Sequence, residues 1–250
     1  MTVYNILNGD ALKDRFPFDQ IKGEIITMRE CLMDGPTSGN TLGEFFKTRS
    51  LFIGETYGNS GKKYEEHVIP EITKITEISE GEINLWFEDD LFCQVNLWFI
   101  CSLLYTKENI TVNLVRPQDS LQYGFGGLDQ DQLAKAYIDR IPLSKINVNQ
   151  LVWLWFTYQK NHVERLLKLS VQIEEDFPFI KEAIIAQIER EPIDGKRGRP
   201  EQAIHDIIEE KSTTDFTIVF QEFSKREPIY GFGDLQVKQV YNSVLHALSN

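Results

Sequence analysis

The feature that most limits what this chain can fold into is the alternation, through its first half, of short β-rich runs with longer segments of helical spacing. Val3–Leu7, Glu24–Met28, Glu82–Phe87 and Ile110–Val115 read as strands. Between them lie Ala11–Phe16, Leu42–Tyr57, a stretch from about Tyr64 to Ile78, and Leu91–Leu104, all with helical patterns. Strands separated by helices indicate an α/β unit, because a parallel pair needs a crossover long enough to hold a helix. The segment Leu91–Leu104 is apolar nearly all round, broken only by Gln94, Asn96 and Ser102. A helix of that kind is buried on several sides. It is expected to pack on the sheet with one face and on the second half of the chain with another.

After Arg116-Pro117 the pattern changes. Gln122-Tyr-Gly-Phe-Gly-Gly127 reads as a glycine and aromatic connector, and helical patterns follow over Asp129–Asp139, Ser144–Gln159, Val163–Ile173, Phe179–Glu189 and Pro200–Glu210. Asp215–Phe223 is mixed, and a last amphipathic helix runs from about Leu235 to Leu248. Asp129 and Ser144 stand where N-caps belong. The expected architecture is an open, mostly parallel, Rossmann-like α/β domain over residues 1–120. A mainly helical domain over residues 121–250 follows, with a winged-helix-like end as one reading.

With 42% apolar and 12% aromatic residues in 250, the chain can fill a sizeable core. Its net charge of −12 disfavours general adhesion to nucleic acid or an anionic membrane. The three cysteines, Cys31, Cys93 and Cys101, form no CxxC pair, which fits a reducing compartment and excludes an ordinary cysteine zinc site. The opening residues show no export signal, and the most apolar segments, Leu91–Tyr105 and Leu151–Tyr158, are too short or too interrupted to span a bilayer. A soluble, cytoplasmic protein without a membrane partner is the expectation.

In an open α/β sheet, ligands bind outside the carboxyl ends of the strands. Here the first strand ends at Asn8-Gly9-Asp10, the second at Arg29-Glu30 with Asp34-Gly35-Pro36 just beyond, and the third at Glu88-Asp89-Asp90. Carboxylates gathered at one edge repel one another, so they need a cation, ligand hydroxyls, or a guanidinium. This spacing predicts Asp10, Glu88 and Asp90 as catalytic groups, and Asp10, Glu88, Asp89 and Asp90 as ligands of Mg²⁺. Asn8, Gly9, Arg29, Glu30, Asp34, Arg49, Trp86 and Gln94 would contact the ligand, with Arg29 and Arg49 as anion partners and Trp86 and Gln94 as a supporting wall. The substrate class is a phosphorylated or nucleotide-like small molecule, and the chemistry metal-assisted phosphoryl or nucleotidyl transfer.

Each piece also has a purely structural explanation. Asp10 is an obvious N-cap, and Gly9 serves the turn without a ligand. Glu88-Asp89-Asp90 is the acid-rich first turn that a helix dipole favours, and the cluster as a whole can pair internally with Arg29 and Arg49. Other motifs carry less. His67, His162, His205 and His246 show no ligand spacing, Ser38 and Ser60 stand in no GxSxG elbow, and neither GxGxxG nor a P-loop is present. Arg197-Gly-Arg-Pro200 has the form of a minor-groove hook but sits among Glu191, Asp194, Glu201 and Asp206. It supports a rival expectation, a regulatory protein with a sensor α/β unit and a helical half that contacts DNA or a protein.

The ordered motifs Ile6-Leu-Asn-Gly-Asp10, Gly23-Glu-Ile-Ile-Thr-Met-Arg-Glu-Cys-Leu-Met-Asp-Gly-Pro36, Arg49 and Leu85-Trp-Phe-Glu-Asp-Asp-Leu-Phe-Cys-Gln94 resemble the bacterial family catalogued as domain of unknown function 1835. The likeness covers roughly the first half of the chain. Leu128-Asp-Gln-Asp-Gln-Leu133 and Phe177-Pro-Phe-Ile180 are similar to the helical segment that commonly follows in that family. The resemblance implies no particular activity, but it marks the same polar residues as the strand ends do. Many relatives have His at the position of Asp89 and Asp at that of Cys93, and this chain departs from the pattern at both. A family mechanism that used that histidine as acid or base would be missing here.

Overall fold

The computed structural model describes residues 1–58, 61–117 and 124–249. Strands β1 (Val3–Asn8), β2 (Glu24–Met28), β3 (Glu80–Trp86) and β4 (Asn109–Val115) lie parallel in the order β2-β1-β3-β4. A short β5 (Ile141–Leu143) adds to β4 in the antiparallel sense. The α/β expectation therefore holds, with a mostly parallel five-stranded sheet.

The register pairs Ile6 with Ile26 and with Leu85, and Leu85 with Leu114, so one apolar row crosses the sheet. One residue further along each strand, Leu7, Trp86 and Val115 point to the opposite face, as the period of two requires. That second face is closed by Leu12 of α1 (Asp10–Arg15), Phe16, Phe125 and Leu133 of α6 (Gln130–Ile138), a small core. The first face belongs to a much larger core. It takes in Ile6, Ile26, Ile83, Leu85 and Leu114 and continues without interruption to Val244 near the end of the chain.

The pillar of the larger core is α5 (Leu91–Leu104), in which every residue from Cys93 to Cys101 is buried. It packs on α7 (Lys145–Gln159) and α9 (Ile180–Glu189), and it reaches the strand ends through Cys93 and Asn96. The all-round apolar pattern meant what it should. The other helices of the first half are α2 (Leu42–Tyr57), α3 (Gly61–His67) and α4 (Ile69–Glu77); α8 (Val163–Gln172), α10 (Arg199–Lys211), α11 (Phe216–Arg226) and α12 (Asp234–Leu248) complete the second. Asp129 and Ser144 are the N-caps of α6 and α7, as expected, and each also closes a capping box.

Several local expectations are corrected. The stretch from Tyr64 to Ile78 is two helices, broken at Val68, because Pro70 lacks the N–H that a continuous helix needs and suits the first turn of a new one. Asp215–Phe223 is not mixed but the body of α11, started by Asp215, whose carboxylate accepts the N–H groups of Thr217 and Ile218. Strand β5 escaped notice because it has three residues with Pro142 in the middle, a residue an edge strand tolerates. Residues 199–249 contain α10, α11, α12 and a 3-10 turn, Pro228–Tyr230, and no strand, so the winged unit has no wing. The expected boundary near residue 120, and Gln122 and Tyr123 of the connector, lie outside the described residues, while Gly124–Gly127 form a 3-10 turn. Among the described residues no helix is long and apolar enough to cross a membrane.

Candidate functional site

The strand order runs outward from β1 to β2 on one side and from β3 to β4 on the other, so the sheet's direction of growth reverses between β1 and β3. The carboxyl ends of those two strands are where an open α/β sheet offers a crevice. Asn8 ends β1; Glu88, Asp89 and Asp90 follow β3 and lead into α5. Donor atoms of Glu88, Asp90 and Cys93 lie within 4.8 Å of one another at this point.

The group is held in place by a chain of oriented hydrogen bonds. The Leu32 N–H donates to Asn96 Oδ1 at 3.3 Å, which turns the Asn96 amide so that Nδ2 donates to Asn8 Oδ1 at 2.9 Å and to the Glu30 carbonyl at 2.7 Å. Asn8 then has its own Nδ2 left to donate to Cys93 Sγ, at 2.9 Å. Asp90 caps α5 by accepting the Cys93 N–H at 2.9 Å, and Glu88 accepts the Phe125 N–H at 2.7 Å. Gln94 reaches back so that Nε2 donates to the Glu88 carbonyl at 2.7 Å, and its buried Oε1 has no partner among the described residues.

Among the described residues neither Glu88 nor Asp90 has a basic side chain in ion-pair range. Burial, followed by the neighbouring Asp90 carboxylate, pushes Glu88 up to about 8. Burial also raises the Asp90 carboxyl and, with Asp90 and Glu88 nearby, the Cys93 thiol. Both carboxyl groups are thereby biased toward the protonated form.

On either flank, a carboxylate is already paired. Asp10 takes a two-pronged contact from Arg29 at 2.7 and 2.8 Å, which lowers its pKa, and Arg29 also donates to the His67 carbonyl. Asp89 is paired with Arg116 at the end of β4, Nε to Oδ1 at 2.7 Å, and that guanidinium lies over the Phe179 ring at 3.9 Å from its centroid. At the end of β2, Glu30 and Arg49 form a pair that is 1% and 0% exposed. Arg49 spends its remaining N–H groups on the carbonyls of Cys31, Asp34 and Pro36, and Tyr64 donates its hydroxyl to Glu30.

The expected residues are thus divided among several sites. Glu88 and Asp90 come together with Asn8 and Gln94. Asp10 is not the N-cap of α1, a position held by Gly9, and it and Asp89 are engaged by arginines, so the four-carboxylate set proposed for Mg²⁺ is not gathered. Arg49 and Glu30 neutralise each other in the interior and have nothing left for an anion or ligand. Trp86 belongs to the opposite face of the sheet: its ring packs on Phe16, Phe125 and Tyr137, and Nε1 donates to Asn5 Oδ1, so it forms no wall here. Asp34 accepts from the Tyr57 hydroxyl and lies 3.5 Å from Arg190, which makes it part of the clasp between the β2 loop and the helical half. Over Gly9, at φ 100°, there is open space.

Sequence reasoning missed Cys93, Asn96, Arg116, Gly124 and Gly231. Arg116 was within reach of the strand-end argument, and Cys93 falls in the first turn of a helix whose start was legible. The glycines were not. A Cβ on Gly124 would overlap the Glu88 carboxylate, and one on Gly231 would overlap that of Asp90, contacts made only by the tertiary fold.

In the second half, Arg199 is held by Glu189 at 2.7 Å and Glu227 at 2.8 Å, so the hook-like Arg197-Gly-Arg-Pro200 has lost one arginine to internal pairing. A groove of about 690 Å³ beside it is lined by acids as well as bases, among them Glu191, Asp194, Lys196, Arg197 and Asp206. That mixture does not suit a phosphate backbone. His205, Asp206 and Glu209 gather on α10 as the other cluster with metal-ligand groups among the described residues. No protein-family model, curated protein or solved structure matches this chain.

Proposed function

We propose that the α/β half uses the carboxyl ends of β1 and β3, in the manner of a Rossmann-like domain, to bind a small phosphorylated or nucleotide-like ligand. The observation that carries this reading is the meeting of Asn8, through Cys93, with Glu88 and Asp90 at the point where the strand order reverses, with no basic side chain among the described residues paired to either carboxyl group. A buried carboxyl pair that shares a proton both donates and accepts, which is what a ribose or sugar diol requires. Arg29 and Arg116, each partly exposed and held by an aspartate on the flanks, are the groups to meet a phosphate. If the site is catalytic, Glu88 is the acid or base, because its proton is exchanged near neutral pH.

The test is a thermal-shift screen of the purified chain against nucleotides and sugar phosphates, with and without Mg²⁺. Stabilisation by at least one ligand, lost in Glu88→Gln, is expected. Absence of any shift, or a shift that survives the substitution, overturns the reading.

A further inference from the structure

We infer that Glu88, Asp90 and Cys93, with the side-chain oxygen of Gln94, form a binding site for a divalent cation of zinc-like softness. The inference rests on the same strand-end site as the ligand reading and goes further, by naming the charge that would sit there.

The independent observation is Gln94. Its side chain is fully buried, and among the described residues Oε1 has no hydrogen-bond donor, although an unpaired buried amide oxygen is costly. The amide cannot turn over to relieve this, because Nε2 is fixed on the Glu88 carbonyl at 2.7 Å, and that contact holds Oε1 at the same end of α5 as the three other donor groups. A proton shared between Glu88 and Asp90 accounts for the two carboxyls. It leaves the Gln94 oxygen unexplained, whereas a cation at this end of α5 would offer that oxygen a partner as well.

The donors are also preorganised. Gly124 lies against Glu88 and Gly231 against Asp90, each without a Cβ that would displace the carboxylate. The Leu32–Asn96–Asn8 relay aims an amide N–H at Cys93 Sγ, the kind of outer contact that orients and tunes a metal-bound thiolate. Sulfur decides the class of ion. Mg²⁺ and Ca²⁺ take oxygen ligands, while a set of one thiolate and several oxygens suits Zn²⁺ or Co²⁺. Binding transfers the Cys93 thiol proton and the shared carboxyl proton to solvent, so affinity rises with pH.

The full-length chain, freed of metal with a chelator and kept reduced, is titrated with Zn²⁺ by calorimetry and, separately, with Co²⁺ by absorption spectroscopy. One tight Zn²⁺ per chain is expected, not displaced by excess Mg²⁺. Its affinity should fall by about tenfold or more in Cys93→Ser and in Gln94→Leu and remain intact in His205→Ala, which removes the α10 cluster. The Co²⁺ form of the unsubstituted chain should show a sulfur-to-metal charge-transfer band, a readout that needs no variant to fold. Failure to bind Zn²⁺, absence of that band, or binding indifferent to Cys93→Ser overturns the inference. A nucleotide-dependent shift without Zn²⁺ binding would sink the metal site alone; Zn²⁺ binding without any ligand shift would sink the ligand reading alone.

Discussion

Two carboxylates stand at the ends of the strands that flank β1, and the fold treats them in opposite ways. Glu30, after β2, is buried against Arg49, with Tyr64 as a further donor, and every guanidinium N–H finds an acceptor. Glu88, after β3, is also largely shielded from water, yet its neighbours are another carboxyl, a thiol and a backbone N–H. Asn96 touches both regions, donating to the Glu30 carbonyl and to Asn8. A charge that is fully paired stabilises a fold only conditionally and does no chemistry. A charge left unpaired costs stability and is available to a proton, a cation or a ligand. The first site locks the β2 loop, and the second is the one we propose for ligand binding.

The contrast can be broken most sharply at Arg49. Arg49→Met should lower stability by about 3–5 kcal/mol, since it strands Glu30 in the interior. For a chain of this size that corresponds to a melting temperature lower by roughly 10 °C. Calorimetry showing a change of no more than a degree or two would mean that the pair is not the lock described.

Glu88→Gln should act in the other direction and depend on pH. The folded-state pKa of Glu88 is raised, so the folded chain binds the proton more tightly than the unfolded one, and stability from this group is full below the unfolded value of 4.5 and lost as pH rises to about 8. Gln keeps an acceptor for the Phe125 N–H and cannot ionise. The variant should match the parent near pH 4.5 and exceed it by up to a few kcal/mol at pH 8 and above. Parallel denaturation curves at all pH values would contradict the assignment.

Gly124→Ala should cost on the order of 1–3 kcal/mol, from the positive φ of 50° and the overlap with Glu88. If the overlap is the main cause, the cost shrinks in a Glu88→Ala background, and a double-mutant cycle measures the coupling. Smallest of all is Asp10→Asn. Its pair with Arg29 is partly exposed, so the loss should stay below about 1 kcal/mol by chemical denaturation.

The mostly parallel α/β sheet, the buried α5 and two N-caps were legible because each depends on local periodicity or a single cap residue. Which carboxylate meets which arginine was not. Asp10, Glu30 and Asp89 look alike in the sequence, and their partners Arg29, Arg49 and Arg116 lie 19 to 27 residues away, brought in by the packing of other elements. Trp86 shows the same limit: its neighbours in sequence are polar site residues, but the period of two turns it to the far face. The resemblance motifs pointed to Glu88, Asp90 and Gln94 together, whereas Gly124 and Gly231, which press on the two carboxylates, come from the second half of the chain and left no signal beside them.

The most direct measurement is the titration of the Glu88 side-chain carboxyl carbon by NMR in the metal-free, reduced chain, with the resonance assigned by its loss in Glu88→Gln. A midpoint near 8, far above an ordinary glutamate, is expected. A midpoint in the usual carboxylate range would show that Glu88 is neutralised like Glu30, and the distinction between the two strand ends would collapse.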